Sequence, residues 1–238
     1  METIRRQLAE KIVGKELDKK KVAAVRRRAK ILIIDFNDGS SLLFHLKLTG
    51  QLVFNGQPGK YTRKVFDFGD GSRLIFNDAR KFGWWKFVEN TQKIEKALGP
   101  EALEIRLGAF SANLKQHTNA RIKPLLMDQK FIAGIGNIYS DEILFAAKVY
   151  AMRRVRTLTD REIGLIHASI KKILKNAIKH KGSSVQYYLD ACGNRGGYVK
   201  YHRVYQKEGE KCSRKDGGVI KRIKLGGRSV HFCPKCQE

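Results

Sequence analysis

Only four cysteines are spread over the 238 residues, too few for the cross-linked scaffold of a small secreted domain. No apolar run approaches the roughly 18 residues that a membrane span requires, and the charged start ETIRRQLAEK is no signal peptide. Tryptophan is scarce, with two residues, and no basic amphipathic segment has a broad apolar face flanked by Trp. A membrane-surface role is therefore disfavoured. Acidic residues are also in short supply, 23 Asp and Glu against 48 Lys and Arg, a formal net charge of +25. The excess runs along the whole chain and points to a polyanion as partner. Hydrophobic content of 42% fits a folded protein rather than a disordered basic tail. A soluble, intracellular protein is expected.

What is present falls into three stretches. Residues 2–13 carry Ile4, Leu8, Ile12 and Val13 at helical spacing, ended by Gly14. From about Val22 to Val88 come short β-rich runs at 31–36, 41–46, 51–54, 64–68, 72–76 and 83–88, separated by turn signals such as Asn37-Asp38-Gly39 and Asp70-Gly71. That is the pattern of an antiparallel sandwich or barrel. After Leu98-Gly99-Pro100 the β signal stops, and Pro124 is placed as the first residue of a helix. Thr159-Asp160-Arg161-Glu162 reads as a capping box ahead of a long amphipathic helix. From Arg195 onward the chain is Gly-rich, with 12 Lys and Arg against 4 Asp and Glu.

The most informative stretch is 122–147, IKPLLMDQKFIAGIGNIYSDEILFAA. It reads as two helices about a Gly134-Ile135-Gly136-Asn137 turn. Backbone N–H groups without bulky side chains at a helix mouth can cradle a phosphate. The plainer alternative is that two glycines merely permit a tight turn. Near the C-terminus, Cys233-Pro-Lys-Cys236 has the spacing of metal ligands.

These segments together resemble the formamidopyrimidine-DNA glycosylase and endonuclease VIII family of base-excision repair enzymes, and the former more closely. ETIRRQL, RRAKILII, HLKLTGQL, NDARKFG, LGPEAL, the 122–147 stretch and GGRSVHFCPKCQ occur in family order over nearly the whole chain. The resemblance implies an α+β architecture. An N-terminal antiparallel β-sandwich with a leading helix (1–107) would be followed by a helix–two-turn–helix domain (108–205) and a zinc-finger-like hairpin (206–238), with DNA in the cleft between them. It also implies a DNA glycosylase with abasic-site lyase activity on oxidised purines, acting as a monomer on damaged duplex DNA in a prokaryotic cytoplasm, at the nucleoid.

Residue by residue, Lys30 matches the lysine that assists β-elimination, and Arg228 the finger arginine that reaches the DNA. Arg80, Phe82 and Leu48 match the side chains that fill the hole left by a flipped base, Leu48 standing for the usual Met. Lys81 replaces a frequent second Arg, and Tyr61 a frequent His. Lys123, Gly136 and Asn137 match phosphate-binding positions. Cys212, Cys233 and Cys236 match zinc ligands, while Lys215 stands where the fourth belongs; Asp216, His231 or water could complete the shell. Cys192 matches no ligand, and the loop near Gly182–Tyr198 corresponds to the one that closes over the base.

Two departures accompany the match. The family's Met-Pro-Glu-Leu-Pro-Glu-Val-Glu start, whose proline amine attacks the sugar C1′, is represented only by Met1-Glu2, aligned with Val-Glu. Met1 thus lies five positions, up to about 17 Å of extended chain, from the proline position. A GUG valine codon taken as initiator would produce this start. Between Gly14 and Arg27 roughly twenty residues of the family are missing, and KELDKKKVAAVR reads as a simple connection from helix to strand. The alternative to an enzyme is a relative that binds damaged or abasic DNA without cutting it; a basic RNA-associated protein is a more remote possibility.

Overall fold

The computed structural model describes residues 1–238, which divide into two compact units, Met1–Ala97 with Ala177–Lys200, and Leu98–Asn176 with Tyr201–Glu238.

The first unit opens with helix α1 (Glu2–Ile12), whose Ile4, Leu8 and Ile12 are fully buried. Eight strands follow: β1 (Glu16–Leu17), β2 (Lys20–Arg28), β3 (Ile31–Phe36), β4 (Ser41–His45), β5 (Gly50–Phe54), β6 (Thr62–Asp67), β7 (Arg73–Asp78) and β8 (Trp84–Val88). They form a five-stranded sheet in the order β1-β2-β3-β4-β8 and a three-stranded sheet in the order β5-β7-β6, antiparallel throughout. Alternate inward residues of both sheets, Leu32, Ile34, Phe44, Leu52, Phe66, Leu74 and Phe76 among them, join the apolar face of α1 in one core. The two-residue side-chain period of strands produces this single buried face.

The stretch after Gly14 is not the plain connection expected. It forms the β1–β2 hairpin, turned by Asp18 and Lys19 at φ 49° and 62°. Val22 and Val25 are buried under β2, which pairs with β3 through a register shift between Val22 and Ala24. A left-handed Asp-Lys pair is an uncommon hairpin turn, and no glycine announces it.

Residues 177–200 also pack with the sandwich. Gln7 on α1 donates to Asp190 Oδ2 (2.9 Å) and accepts the Ala191 N–H (2.9 Å). Phe54 N–H donates to Ala191 O (2.8 Å), and Ala191 is fully buried in the sandwich core.

The second unit contains short helices and a terminal hairpin. A brief helix α2 (Gln92–Lys96) closes the first unit; α3 (Leu107–Lys115), α4 (Ile122–Met127), α5 (Asn137–Ala147) and the start of α6 (Asp160–Lys179) surround a core of Phe110, Leu126, Ile143, Leu144, Ile166 and Ile170. Pro124 is the third residue of α4 rather than its first, still within the turn whose N–H groups lack an intrahelical acceptor. The capping box is formed: Glu162 N–H donates to Thr159 Oγ1 (3.2 Å) and Thr159 N–H to Glu162 Oε2 (2.7 Å). Strands β9 (Lys221–Leu225) and β10 (Arg228–Phe232) make the hairpin, turned by Gly226 and Gly227 at positive φ. No helix is long and apolar enough to cross a membrane.

Candidate nucleic-acid interface and metal centre

In the first unit, Lys30 sits in the two-residue turn between β2 and β3, beside Ala29 at φ 54°. Arg27, in β2 three residues before Lys30, donates to Glu2 Oε2 (3.0 Å) and to Ala29 O (3.0 Å). Glu2 also accepts from Arg5 (2.9 Å) and Arg6 (3.0 Å). Burial alone would raise its carboxyl, but the three guanidiniums prevail and bring it down to about 2. The Met1 amine is pushed down to about 6, first by burial and then by the positive charges of Arg27 and Lys30, with Glu2 acting in the opposite sense. The start of α1 and the β2–β3 turn thus share one field.

His45 belongs to the same neighbourhood and carried no role in the sequence reading. Lys47 N–H donates to its Nδ1 (3.0 Å), so the neutral ring holds its proton on Nε2. Burial, then Lys47 and Lys30, lower its pKa to about 4. It is a neutral donor at pH 7. Its place in HLKLTG, within one of the family-like segments, was the available signal.

Two loops present Leu48 and the Arg80-Lys81-Phe82 run. Leu48 is 63% exposed and Phe82 55%. The Arg80 guanidinium lies 5.1 Å from the Phe82 ring centroid, a cation–π pair, and Lys81 takes φ 60°. One buried carboxylate holds both loops. Asp78 accepts the Thr49 hydroxyl, the Gly83 N–H (2.6 Å) and the Arg80 N–H (3.2 Å), while Arg80 N–H also reaches Thr49 Oγ1 (3.1 Å). Burial would raise the Asp78 carboxyl, but these donors outweigh it and hold it below the usual carboxylate range. Gly83 is required here, because a Cβ would stand 2.9 Å from both Asp78 Oδ2 and the Phe76 ring. Sequence reasoning missed Asp78, although it lies two residues before Arg80 in NDARKFG. Tyr61, at the position of the frequent histidine, is 52% exposed.

In the second unit, Gly134 adopts φ 104° and Gly136 is the N-cap of α5, so Asn137 is the helix's first residue. The Gln129 side chain stitches the turn: it accepts the Gly134 N–H (2.9 Å) and donates to Met127 O and Ile135 O (2.9 Å each). The first N–H groups of α5 have no intrahelical acceptor, which leaves them available to an anion. The Asn137 side chain hydrogen-bonds to the Tyr205 hydroxyl, while its Oδ1 is buried without a partner.

Lys123 corrects an expectation. It is 1% exposed, with Nζ 2.6 Å from Asp141 Oδ1 and donating to Ser229 O (2.7 Å). Burial lowers its pKa more than Asp141 raises it. Asp141 Oδ2 in turn accepts the His231 N–H (3.1 Å) and lies 3.0 Å from His231 Nδ1. An ammonium enclosed this way cannot meet a phosphate. It fixes the β9–β10 hairpin to α4 and α5 instead. That network supports Arg228, which is exposed at the first position of β10, just past the Gly226-Gly227 turn. Glu142 acts similarly: fully enclosed, it accepts the N–H groups of Arg203, Val204 and Tyr205 at 2.9–3.0 Å. Burial still leaves its carboxyl raised.

The metal centre gathers Cys212, Asp216, Cys233 and Cys236, whose donor atoms all lie within 4.8 Å of one another. Cys212 Sγ is 4.0 Å from Cys236 Sγ, and Cys233 Sγ is 3.5 Å from Asp216 Oδ2. Four donors about 4 Å apart fit a tetrahedron with Zn–S bonds near 2.3 Å. Lys215, at φ 57°, turns the chain so that the next residue faces the thiols. Of the alternatives for the fourth position, Asp216 is the one in place; His231 is committed to Asp141. Burial raises the Cys212 thiol and pushes Cys236 up to about 12, so a cation entering here must displace protons. Bound zinc would supply structural closure of the finger. Cys192 lies outside this cluster, exposed.

Three sequence models of known families match the chain: the formamidopyrimidine-DNA glycosylase N-terminal domain over residues 1–85, the formamidopyrimidine-DNA glycosylase H2TH domain over 98–188, and the zinc finger found in FPG and IleRS over 209–238. A formamidopyrimidine-DNA glycosylase of Pelotomaculum thermopropionicum is 40% identical over 227 residues, 92% of this chain and 82% of that protein. The chain belongs to the formamidopyrimidine-DNA glycosylase family. A family member from Lactococcus lactis subsp. cremoris is 36% identical across 100% of this chain and 97% of its own length. The solved complex of the Lactococcus lactis enzyme with DNA containing an abasic site superposes with a TM-score of 0.90 at 34% identity, covering 100% of this chain and 97% of that one. Its complex with DNA containing Fapy-dG gives 0.89. The α+β fold and the zinc finger are thus those of the family.

Proposed function

We propose that this chain works in base-excision repair in the cytoplasm: it binds damaged duplex DNA, excises oxidised purines and cleaves the strand at the resulting abasic site. The observation that carries the reading is the wedge. Leu48, Arg80 and Phe82 stand exposed on two loops tied to one buried carboxylate, in the same unit as Lys30. A base turned out of a duplex leaves an apolar gap and an unpaired partner, and an aromatic ring with a guanidinium replaces both lost interactions.

The other roles follow. The N-terminal end of α5 with Asn137, the tip residue Arg228, and Lys81 hold phosphates, and the chain's +25 charge supplies long-range attraction. His45 offers an Nε2–H beside Lys30. Lys30 assists the proton transfers of β-elimination. The attack on C1′ needs an amine that is partly neutral at pH 7, as a terminal amine is. The proline that provides it in the family is not among residues 1–238.

The test is borohydride trapping on a duplex carrying an abasic site. The chain is run beside a version with Pro-Glu-Leu-Pro-Glu-Val in place of Met1, and beside that version with K30A. The expected result is a covalent adduct with the extended chain and slower strand cleavage in K30A. Tight binding without an adduct in either form would instead make this a damage-binding relative that does not cut.

A further inference from the structure

Arg214 lies in the loop between the metal donors Cys212 and Asp216. Its guanidinium is engaged on three sides. Nη1 is 3.0 Å from Cys236 Sγ; Nη2 donates to Phe145 O (2.8 Å) and Ala146 O (3.2 Å); and Cζ stands 4.1 Å from the Phe145 ring centroid. Phe145 and Ala146 are in the last turn of α5, whose carbonyls carry the negative end of the helix dipole; Phe145 O also accepts the Lys148 N–H of the C-cap (3.0 Å). The Phe145 ring packs in turn with Val204, Cys212, Ile220 and Cys233. One cation therefore spans a metal ligand and a helix end.

We propose that Arg214 couples metal binding at the finger to order at the C-terminal end of α5. Three thiolates and a carboxylate around a divalent ion leave an excess of about two negative charges. Arg214 is the cation seated against that shell. A hydrogen bond from a guanidinium to a metal-bound thiolate is charge-assisted on both sides and roughly twice as strong as a neutral one. Metal loading therefore holds Arg214 in place, and Arg214 holds the Phe145 and Ala146 carbonyls. The coupling is reciprocal: whatever the metal adds to the order of α5, the ordered helix returns as metal affinity. Arginine is needed because its rigid fork reaches sulfur and two carbonyls at once, which a lysine ammonium cannot do.

The experiment uses the full chain, zinc-loaded and chelator-stripped, with R214K and R214Q. Amide hydrogen exchange is read at Lys148 and Val149, whose N–H groups donate to Phe145 O and Leu144 O, and at Cys212 and Ile220, which report the finger itself through Gly218 O and Glu210 O. Zinc affinity is read by competition with a chromophoric chelator. In zinc-loaded R214K, Lys148 and Val149 are expected to exchange about tenfold faster while Cys212 and Ile220 keep their protection. In R214Q zinc is expected to bind about tenfold more weakly, and stripping zinc from the unsubstituted chain to speed exchange at Lys148 and Val149. Unchanged exchange at these two amides on stripping would overturn the proposal. So would equal loss at all four amides in loaded R214K, which would make Arg214 merely part of the finger's packing.

Discussion

Replacing Asp78 by Asn tests how the wedge is held. The substitution keeps the shape but puts an NH2 group against donors. Asp78 accepts from the Thr49 hydroxyl and from the N–H groups of Gly83 and Arg80, and is 1% exposed. Whichever way the amide is oriented, one of its arms faces donors with a donor. With the NH2 at the Oδ2 position, the less costly choice, the Gly83 hydrogen bond is lost and its buried N–H faces a donor, about 3 kcal/mol, while the other two bonds fall to neutral strength, a further ~1 kcal/mol. Relief of the buried charge offsets part of this, leaving about 3 kcal/mol. For a chain of this size that corresponds to a drop in Tm of about 9 °C. Thermal unfolding at pH 7 measures the stability loss. Competition between abasic and intact duplexes measures the function, with a fall in abasic preference expected and little change in intact-duplex affinity. T49V removes one donor and should show the same direction at about 1 kcal/mol. An Asp78→Asn chain that melts within about 1 °C of the parent and keeps its abasic preference would refute the reasoning.

K123M should cost about 3–5 kcal/mol, because it strands the buried Asp141 charge; chemical denaturation measures this, and the salt slope of DNA binding should not change, since the Lys123 ammonium is buried on Asp141 and Ser229 O. His202 is buried, and its pKa is lowered to about 4 by burial and then by Lys207. The fold favours its neutral form, so its contribution is complete above the unfolded value near 6.5 and is lost as pH falls toward 4, about 3 kcal/mol in all. Denaturation curves of the parent and H202Q at pH 7, 5 and 4 should converge toward the acid end by that amount. Asp216→Ala removes one of four metal donors, and zinc should be lost to a chelator at least about tenfold more readily; Lys215→Ala, which removes no donor, should retain it.

Much of the sandwich was legible because strand alternation and turn chemistry are local. The run ILIIDF is β3 without adjustment, and the Thr159–Glu162 box sits where its spacing put it. The β1–β2 hairpin was not legible, because its turn is Asp18-Lys19 rather than a glycine pair. In the candidate site, motif resemblance singled out Leu48, Arg80 and Phe82, which the structure sets on two loops, but the carboxylate that ties those loops was not legible, since a buried Asp reads like any turn Asp. Lys123 was misjudged for a related reason. The resemblance marked it as a phosphate-binding position, whereas its acceptors Asp141 and Ser229 lie 18 and 106 residues further along the chain. Asp216 could be named only as one alternative until Lys215 was seen to turn it inward. Packing of 177–200 on the sandwich depends on Gln7 and Asp190, 183 residues apart, a distance over which no local pattern speaks.

The central claim is that exposed side chains on two tied loops read a missing base. The most direct measurement is the affinity ratio of this chain for a duplex with one abasic site over the same duplex intact, at fixed salt, compared with Phe82→Ala. A preference of at least about tenfold is expected, most of it lost in Phe82→Ala while intact-duplex affinity holds, since the phosphate contacts that dominate that affinity are untouched. Equal affinity for the two duplexes, or a preference indifferent to Phe82, would contradict it.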